Sequence, residues 1–185
     1  MRVIAGSARG VPLKVPSRVD VRPTSDRVRE ALFSMVAEHL PGARCLDLFA
    51  GSGALGIEAL SRGADSCLFV DQEGAACQTI RGNLRRSGLA GGEVKIAEAM
   101  GFIQSGRGLF DLIFADPPYK KKGMADLAAE VAGSEALHGM MSEEAILVLE
   151  SRKGKDEYPV SEHLERLESR DYGETRLVFF RRASA

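Results

Sequence analysis

From residue 44 onward two kinds of segment alternate, and that alternation limits the possible folds more than any other feature of the chain. Apolar runs recur at CLDLFA (45–50), SCLFV (66–70), GEVKIA (92–97), LFDLIFA (109–115) and AILVLE (145–150). Helical patterns fit between them at 54–62, 73–87 and about 123–132. Strands that are apolar almost throughout suit a sheet covered on both faces, and helices between them suit parallel neighbours. The expected fold class is therefore α/β with a mostly parallel, Rossmann-like sheet. The tail, LERLESRDYGETRLVFFRR, breaks the rhythm. Its two strand-like pieces meet near Tyr172-Gly173, as in an antiparallel C-terminal hairpin at a sheet edge.

Residues 1–42 read as an N-terminal extension ahead of a main domain at 43–185. RVIAG and GVPLKV are short, β-prone and joined through a glycine-containing turn, which predicts a hairpin. The helix that follows can be capped by Thr24 or Ser25, with Asp26 in its first turn. Val28, Leu32, Met35, Val36 and Leu40 form its apolar stripe, Pro41-Gly42 ends the pattern, and Arg27 and Arg29 are free to face elsewhere. Although the chain carries a formal net charge of -1, its first 29 residues hold seven basic side chains against two acidic ones. That asymmetry suits a local anion-binding face.

The 185 residues are enough for one sizeable core. No apolar stretch reaches the roughly 18 residues of a membrane span, and the N-terminus lacks a signal-peptide core, so a cytoplasmic, membrane-free protein is expected. Cys45, Cys67 and Cys77 form no CxxC pair, and Cys45 and Cys67 fall in apolar runs, which suits buried thiols. His39, His138 and His163 have no neighbours at metal-ligand spacing, so no metal is expected.

DLFAGSGALG at 47–56 reads as strand, glycine turn, helix. Gly51 and Gly53 can bring backbone close to a ligand, and Gly56 allows tight helix–strand contact. No GK[ST] follows, which argues against a Walker A phosphate loop. Acidic residues stand instead at the strand ends. Asp47 suits a cationic or amine-bearing group, and Asp71, ending the second strand, suits a sugar diol. Together they favour a nucleoside with a cationic tail, such as S-adenosylmethionine, over a pyrophosphate. Glu98, Ala99 and Met100 follow the third strand on the same expected rim, where Met100 could cover an adenine face. Glu73 is equally suited to starting a helix and to binding a ligand.

DPPY at 116–119 ends the fourth strand. Asp116 can accept a hydrogen from an amine, the Pro117 carbonyl can point outward, two fixed φ values hold both, and Tyr119 offers a stacking surface. A carboxylate and a carbonyl aimed at one exocyclic NH2 would direct its lone pair at a methyl donor. Lys120, Lys121 and Lys122 stand next to this motif, where they would be solvated or contact phosphate.

The chain resembles the bacterial 16S rRNA guanine-N2 methyltransferases, the small-subunit enzymes that modify guanine 966. The resemblance runs through MRVIAGSARGVPL, RPTSDRVREALFSM (22–35), DLFAGSGALGIEALSRGA (47–64), FVDQEGAACQTIRGNL (69–84), FADPPY (114–119) and YGETRLVFFRR (172–182). DPPY and AGSG mark only the wider class of amino-methyltransferases; the 22–35 segment is the specific one. The resemblance implies a seven-stranded methyltransferase sheet and S-adenosylmethionine as cofactor. It puts Asp47, Gly51, Gly53, Asp71, Glu98, Ala99 and Met100 at the cofactor. Relatives usually carry glutamate at the Asp71 position, and often Asp or Asn at that of Glu98. It implies that Asp116, Pro117 and Tyr119 act on the target amine, and that Arg22, Thr24, Arg27, Pro118, Tyr119, Lys120 and Lys121 meet the substrate. That substrate is 16S rRNA in an assembled or partly assembled small subunit, and the expected state is a monomer. Two alternatives share some of these features: a DNA amino-methyltransferase, which would need a larger recognition insertion, and a non-catalytic ribosome-assembly factor.

Overall fold

A computed structural model describes residues 1–16, 25–118, 126–154 and 161–183. Seven strands form one sheet in the order β3-β2-β1-β4-β5-β7-β6. They are β1 (Arg44–Leu48), β2 (Ser66–Asp71), β3 (Gly92–Ile96), β4 (Phe110–Ala115), β5 (Met141–Arg152), β6 (Leu164–Tyr172) and β7 (Thr175–Arg182). β1 to β5 run parallel. β7 lies antiparallel between β5 and β6, so the C-terminal hairpin supplies the edge by placing its second strand inside. The chain winds outward from β1 to β3 and then returns across β1 to β4. This reversal opens a crevice beyond the carboxyl ends of β1 and β4, the usual ligand position in such sheets.

Alternation along the strands sends side chains to two cores. On one face Cys45, Phe69, Leu112, Phe114, Ile146 and Phe179 pack under α1 (Asp26–Met35), α2 (Ala54–Ser61) and α3 (Gly74–Ser87). On the other, Leu46, Leu48, Val70, Ile113, Leu147 and Phe180 meet α4 (Ala99–Gln104), α5 (Leu127–Ala132) and α6 (Glu135–His138). The sequence pattern anticipates α2 and α3 within a residue. The six-residue α4 and four-residue α6 are too short to show a period. β3 is less apolar than its neighbours because it is an edge, with Ile96 56% exposed. Among the described residues no helix is long and apolar enough to cross a membrane.

Gly56 shows why α2 can lie so close to the sheet. A Cβ there would sit 2.3 Å from Phe69 Cε1 and 2.5 Å from Cys67 Sγ. Every residue of α2 is buried, including Glu58 and Ser61 on the side away from the strands. A short helix buried all round needs cover on both sides, and the N-terminal arm provides it. The Glu58 carboxylate accepts the Ile4 and Ala5 N–H groups at 2.8 and 2.9 Å, and Arg62 Nε at 2.7 Å. Ser61 Oγ donates to the Ala5 carbonyl at 2.6 Å and accepts the Ala8 N–H at 3.0 Å. The expected hairpin is reduced to one bridge, Arg2 to Pro12, with backbone bonds between Val3 and Val11 and between Leu13 and Met1. The Ile4, Ala5, Ser7 and Ala8 N–H groups turn to α2 instead.

α1 starts where its cap predicts, with the Val28 N–H donating to Ser25 Oγ at 3.3 Å. The expectation for Arg29 is corrected. It is fully buried, and Nη2 donates to the Arg2 carbonyl and to Asp26 Oδ1, both at 2.7 Å. It ties α1 to the arm instead of facing solvent. Among the described residues its Nε and Nη1 have no hydrogen-bond partner.

Candidate active site

The carboxyl ends of β1, β2, β3 and β4 share one rim because these strands are parallel neighbours. Leu48 pairs with Val70 on one side and Ala115 on the other. Asp71 and Asp116 each follow these partners by one residue, so they flank Phe49. With strands spaced by about 4.8 Å, their Cα atoms lie on the order of 10 Å apart. Phe49 itself has φ 57°, a left-handed conformation unusual for a side chain of its bulk. It turns the chain sharply off β1 into the glycine segment. Nothing in the residue type announces this, and the sequence reading missed it.

Gly51 (φ 55°) and Gly53 (φ 75°) complete that turn, and Gly53 caps α2. Among the described residues, a Cβ at Gly51 would have only the Phe49 carbonyl oxygen within 4 Å, at 3.9 Å. Asp71 organises the turn from the neighbouring strand. Its Oδ2 accepts the Gly51 N–H and its Oδ1 accepts the Glu73 N–H, each at 2.8 Å. Each oxygen retains a lone pair for a further donor. Glu73 is exposed at the start of α3 and makes no side-chain cap.

Asp47 takes a different position from that of an open charge. It is 2% exposed, and its Oδ2 accepts the Gly56 N–H at 2.9 Å. Burial pushes its pKa up to about 8; the Gly56 hydrogen bond opposes the rise, and the Asp71 charge adds to it. The group therefore supports α2 from beneath the turn and holds its proton at neutral pH. The same burial raises the Cys45 thiol to about 12 and holds that of Cys67 well above the ordinary thiol range, with the charge of Asp47 contributing to both. Both behave as inert core residues.

Glu98 is exposed at the rim and caps α4: its carboxylate accepts the Met100 and Gly101 N–H groups at 3.0 and 2.5 Å. Ala99 is buried, while Met100 is half-buried and lines a cavity of about 600 Å³ with Gln104, Glu130 and Ser134. Asp116 is half-buried, Pro117 buried and Pro118 exposed. Arg27 is exposed on α1. Arg22, Thr24, Tyr119, Lys120, Lys121 and Lys122 lie outside the described residues. Two groups that touch the site's supports went unnoticed in the sequence, Glu58 and Asn83. Their only signal is a polar residue on the buried face of a helix.

A glycine turn that no described side chain crowds, a carboxylate beside it and a second carboxylate across β1 suit a nucleoside cofactor next to an amine substrate. Comparison with known proteins agrees. The profile of the family described as conserved hypothetical protein 95 matches residues 1–181. Ribosomal RNA small subunit methyltransferase D of Escherichia coli (strain K12) is 37% identical over 151 residues, covering 82% of this chain and 74% of its own. YlbH of Bacillus subtilis (strain 168) is 39% identical over 157 residues, covering 81% of this chain and 82% of its own. The solved structure of yhhF from Escherichia coli superposes with a TM-score of 0.87 at 30% identity, covering 100% of this chain and 99% of that one. The resemblance read from the motifs thus holds along the chain, which belongs to the conserved hypothetical protein 95 family.

Proposed function

We propose that the protein transfers a methyl group from S-adenosylmethionine to the exocyclic N2 of guanine 966 in 16S rRNA. Its substrate would be an assembled or partly assembled small subunit, which it meets as a cytoplasmic monomer. The observation that carries this reading is the flanking of Phe49. The Asp-Pro-Pro end of β4 and the Asp71-held glycine turn emerge on either side of one strand. A relative named as a small-subunit rRNA methyltransferase, similar over most of the chain, supports the same substrate class.

S-adenosylmethionine fits the donors present. Gly51 and Gly53 would take it against backbone, Asp71 would accept ribose hydroxyls with its remaining lone pairs, and Ala99 and Met100 would line the adenine. Glu98 would shape that end through α4. When bound, the cofactor supplies an electrophilic methyl carbon on a sulfonium. The chain's work is then positioning and electrostatics. Asp116 accepts one N2–H of the flipped guanine and the Pro117 carbonyl accepts the other, which aims the nitrogen lone pair at the methyl carbon. Transfer would exchange the methyl–sulfur bond for an N–C bond, with S-adenosylhomocysteine as leaving group, and Asp116 or water would take the surplus amine proton. Tyr119 stacks on the base, with Pro118 beside it. Arg22, Thr24, Arg27, Lys120 and Lys121 meet the RNA near the site.

Mass mapping of 16S rRNA from cells lacking the gene tests the assignment. The expected result is loss of one N2-methylguanine, at position 966, restored by the intact gene. An unchanged methylation map would overturn it.

A further inference from the structure

One buried amide joins the basic arm to the turn at the active-site rim. Asn83 lies within α3 and is fully buried. Its Oδ1 accepts the Lys14 N–H at 2.9 Å and Arg86 Nη1 at 2.8 Å. Its Nδ2 donates to the Lys14 and Ser52 carbonyls, both at 2.9 Å. A carboxamide has two donor hydrogens and two acceptor sites, so this side chain is saturated. The three partners belong to three parts of the molecule. Lys14 is in the arm, Arg86 is an exposed cation on α3, and Ser52 stands between Gly51 and Gly53. The turn is therefore held by Asp71 from the neighbouring strand and by Asn83 from α3.

The outer side of this junction suits an anion. Lys14, Arg85 and Arg86 are exposed, and none forms an ion pair among the described residues. A packing role alone would be met by leucine, with no buried amide to satisfy. The observed geometry instead makes the same four hydrogen bonds report on the arm, the surface cation and the turn.

We propose that Asn83 is a positioning residue that couples the reaction's two ligands. Phosphate contact at Lys14 and Arg86 orders, through this amide, the Ser52 carbonyl and hence the turn that cradles the cofactor. The inference rests on reading that turn as the cofactor cradle. Coupling of this kind is reciprocal: RNA tightens cofactor binding by the factor by which cofactor tightens RNA binding.

The test measures the dissociation constant of S-adenosylhomocysteine with the protein alone and with saturating small subunits from cells lacking the gene. The wild-type protein is expected to bind at least about fivefold tighter with subunits present. Asn83→Ala is expected to weaken binding to the free protein about tenfold, as for loss of buried hydrogen bonds, and to bring the ratio near one. Its KM for S-adenosylmethionine should rise while kcat at saturation stays within about twofold of wild type, a split that a misfolded protein would not give. Arg86→Gln, a surface change, should bind the cofactor product normally when free and lose part of the ratio. A wild-type ratio of one overturns the proposal, as does an unchanged ratio in either variant; if Asn83→Ala does not fold, the Arg86→Gln ratio decides. Failure of the wild-type protein to bind S-adenosylhomocysteine at all would instead overturn the cradle itself.

Discussion

Asp71 and Asp116 stand at the ends of β2 and β4, and Asp47 lies one residue inside β1; their surroundings give the three different work. Asp71 holds backbone N–H groups while keeping lone pairs free, and Asp116 follows β4 at the rim. Asp116→Ala is expected to leave the sheet folded and the cofactor bound but to remove most methyl transfer. Misplacing reacting atoms by about 1 Å can cost on the order of 100-fold. Single-turnover rates at saturating cofactor, read beside circular dichroism, check this; a wild-type rate from a folded variant would reduce the motif to a turn. Asp47 is a buried carboxyl with its pKa raised to about 8. Below the free-carboxyl value, both folded and unfolded chains hold this proton. Between that value and about 8 only the folded chain holds it, so its stabilising effect is progressively lost as pH rises. Asp47→Asn keeps an acceptor for the Gly56 N–H and removes the titration. The drop in urea midpoint from pH 5 to pH 8, measured without cofactor, should therefore shrink in this variant. If a cationic cofactor reaches the wild-type carboxyl, binding at pH 7 should also release a proton, measurable by calorimetry in buffers of different ionisation enthalpy.

At the scale of elements, the arm and α2 form one unit. Four of the arm's backbone N–H groups, those of Ile4, Ala5, Ser7 and Ala8, find no partner within its own hairpin, and α2 buries polar side chains facing outward. Each meets the other's need, with Glu58 at the centre. Glu58→Ala would leave the Ile4 and Ala5 N–H groups and Arg62 without this acceptor. The expected loss is about 2–3 kcal/mol, since each buried donor left unpaired is costly. Urea unfolding gives the stability change, and limited proteolysis gives its place. Cleavage should appear first within residues 1–14, ahead of any cut in the sheet; simultaneous loss of arm and sheet would mean that the arm is not the weaker unit.

For the whole molecule, a near-neutral total charge conceals an uneven distribution. The basic residues of the first segment do not all face outward. Arg29 is buried, and Arg2 Nε lies 3.8 Å from Asp26 Oδ2. Arg9 and Lys14 are exposed on the arm, and Lys14 is bonded through its backbone to Asn83 of α3. Neutralising Arg9 and Lys14 together should weaken RNA binding and flatten its salt dependence, by roughly 0.7–0.9 in log–log slope for each phosphate that is no longer neutralised. Cofactor affinity of the free protein should change far less, because the Asn83 bonds go to the Lys14 backbone. Filter binding across a salt series reads the slope, and a slope equal to wild type would show these cations to be solvated.

Much of this architecture was legible from residue 44 onward because the signals are local. Five apolar runs mark the parallel strands, Gly56 marks the close approach of α2, and Asp71 and Asp116 mark strand ends by following those runs directly. The C-terminal hairpin was legible as well, through its turn at Tyr172-Gly173. Its insertion with β7 inside was not, because strand order depends on which distant edges meet, and periodicity carries no information about partners. The burial of Arg29 and Asp47, the left-handed turn at Phe49 and the clasp at Asn83 were hidden for the same reason. Each depends on groups separated in the chain: Arg29 on the Arg2 carbonyl, Asp47 on the packing of α2, and Asn83 on Lys14 and Ser52. The sequence by itself determined the parallel strands, the longer helices and the C-terminal hairpin, and which chemical groups stand near the strand ends. Only the tertiary structure decided which of those groups remain open to a ligand and which are used to hold the protein together, because solvent exclusion and hydrogen-bond pairing arise when distant segments pack.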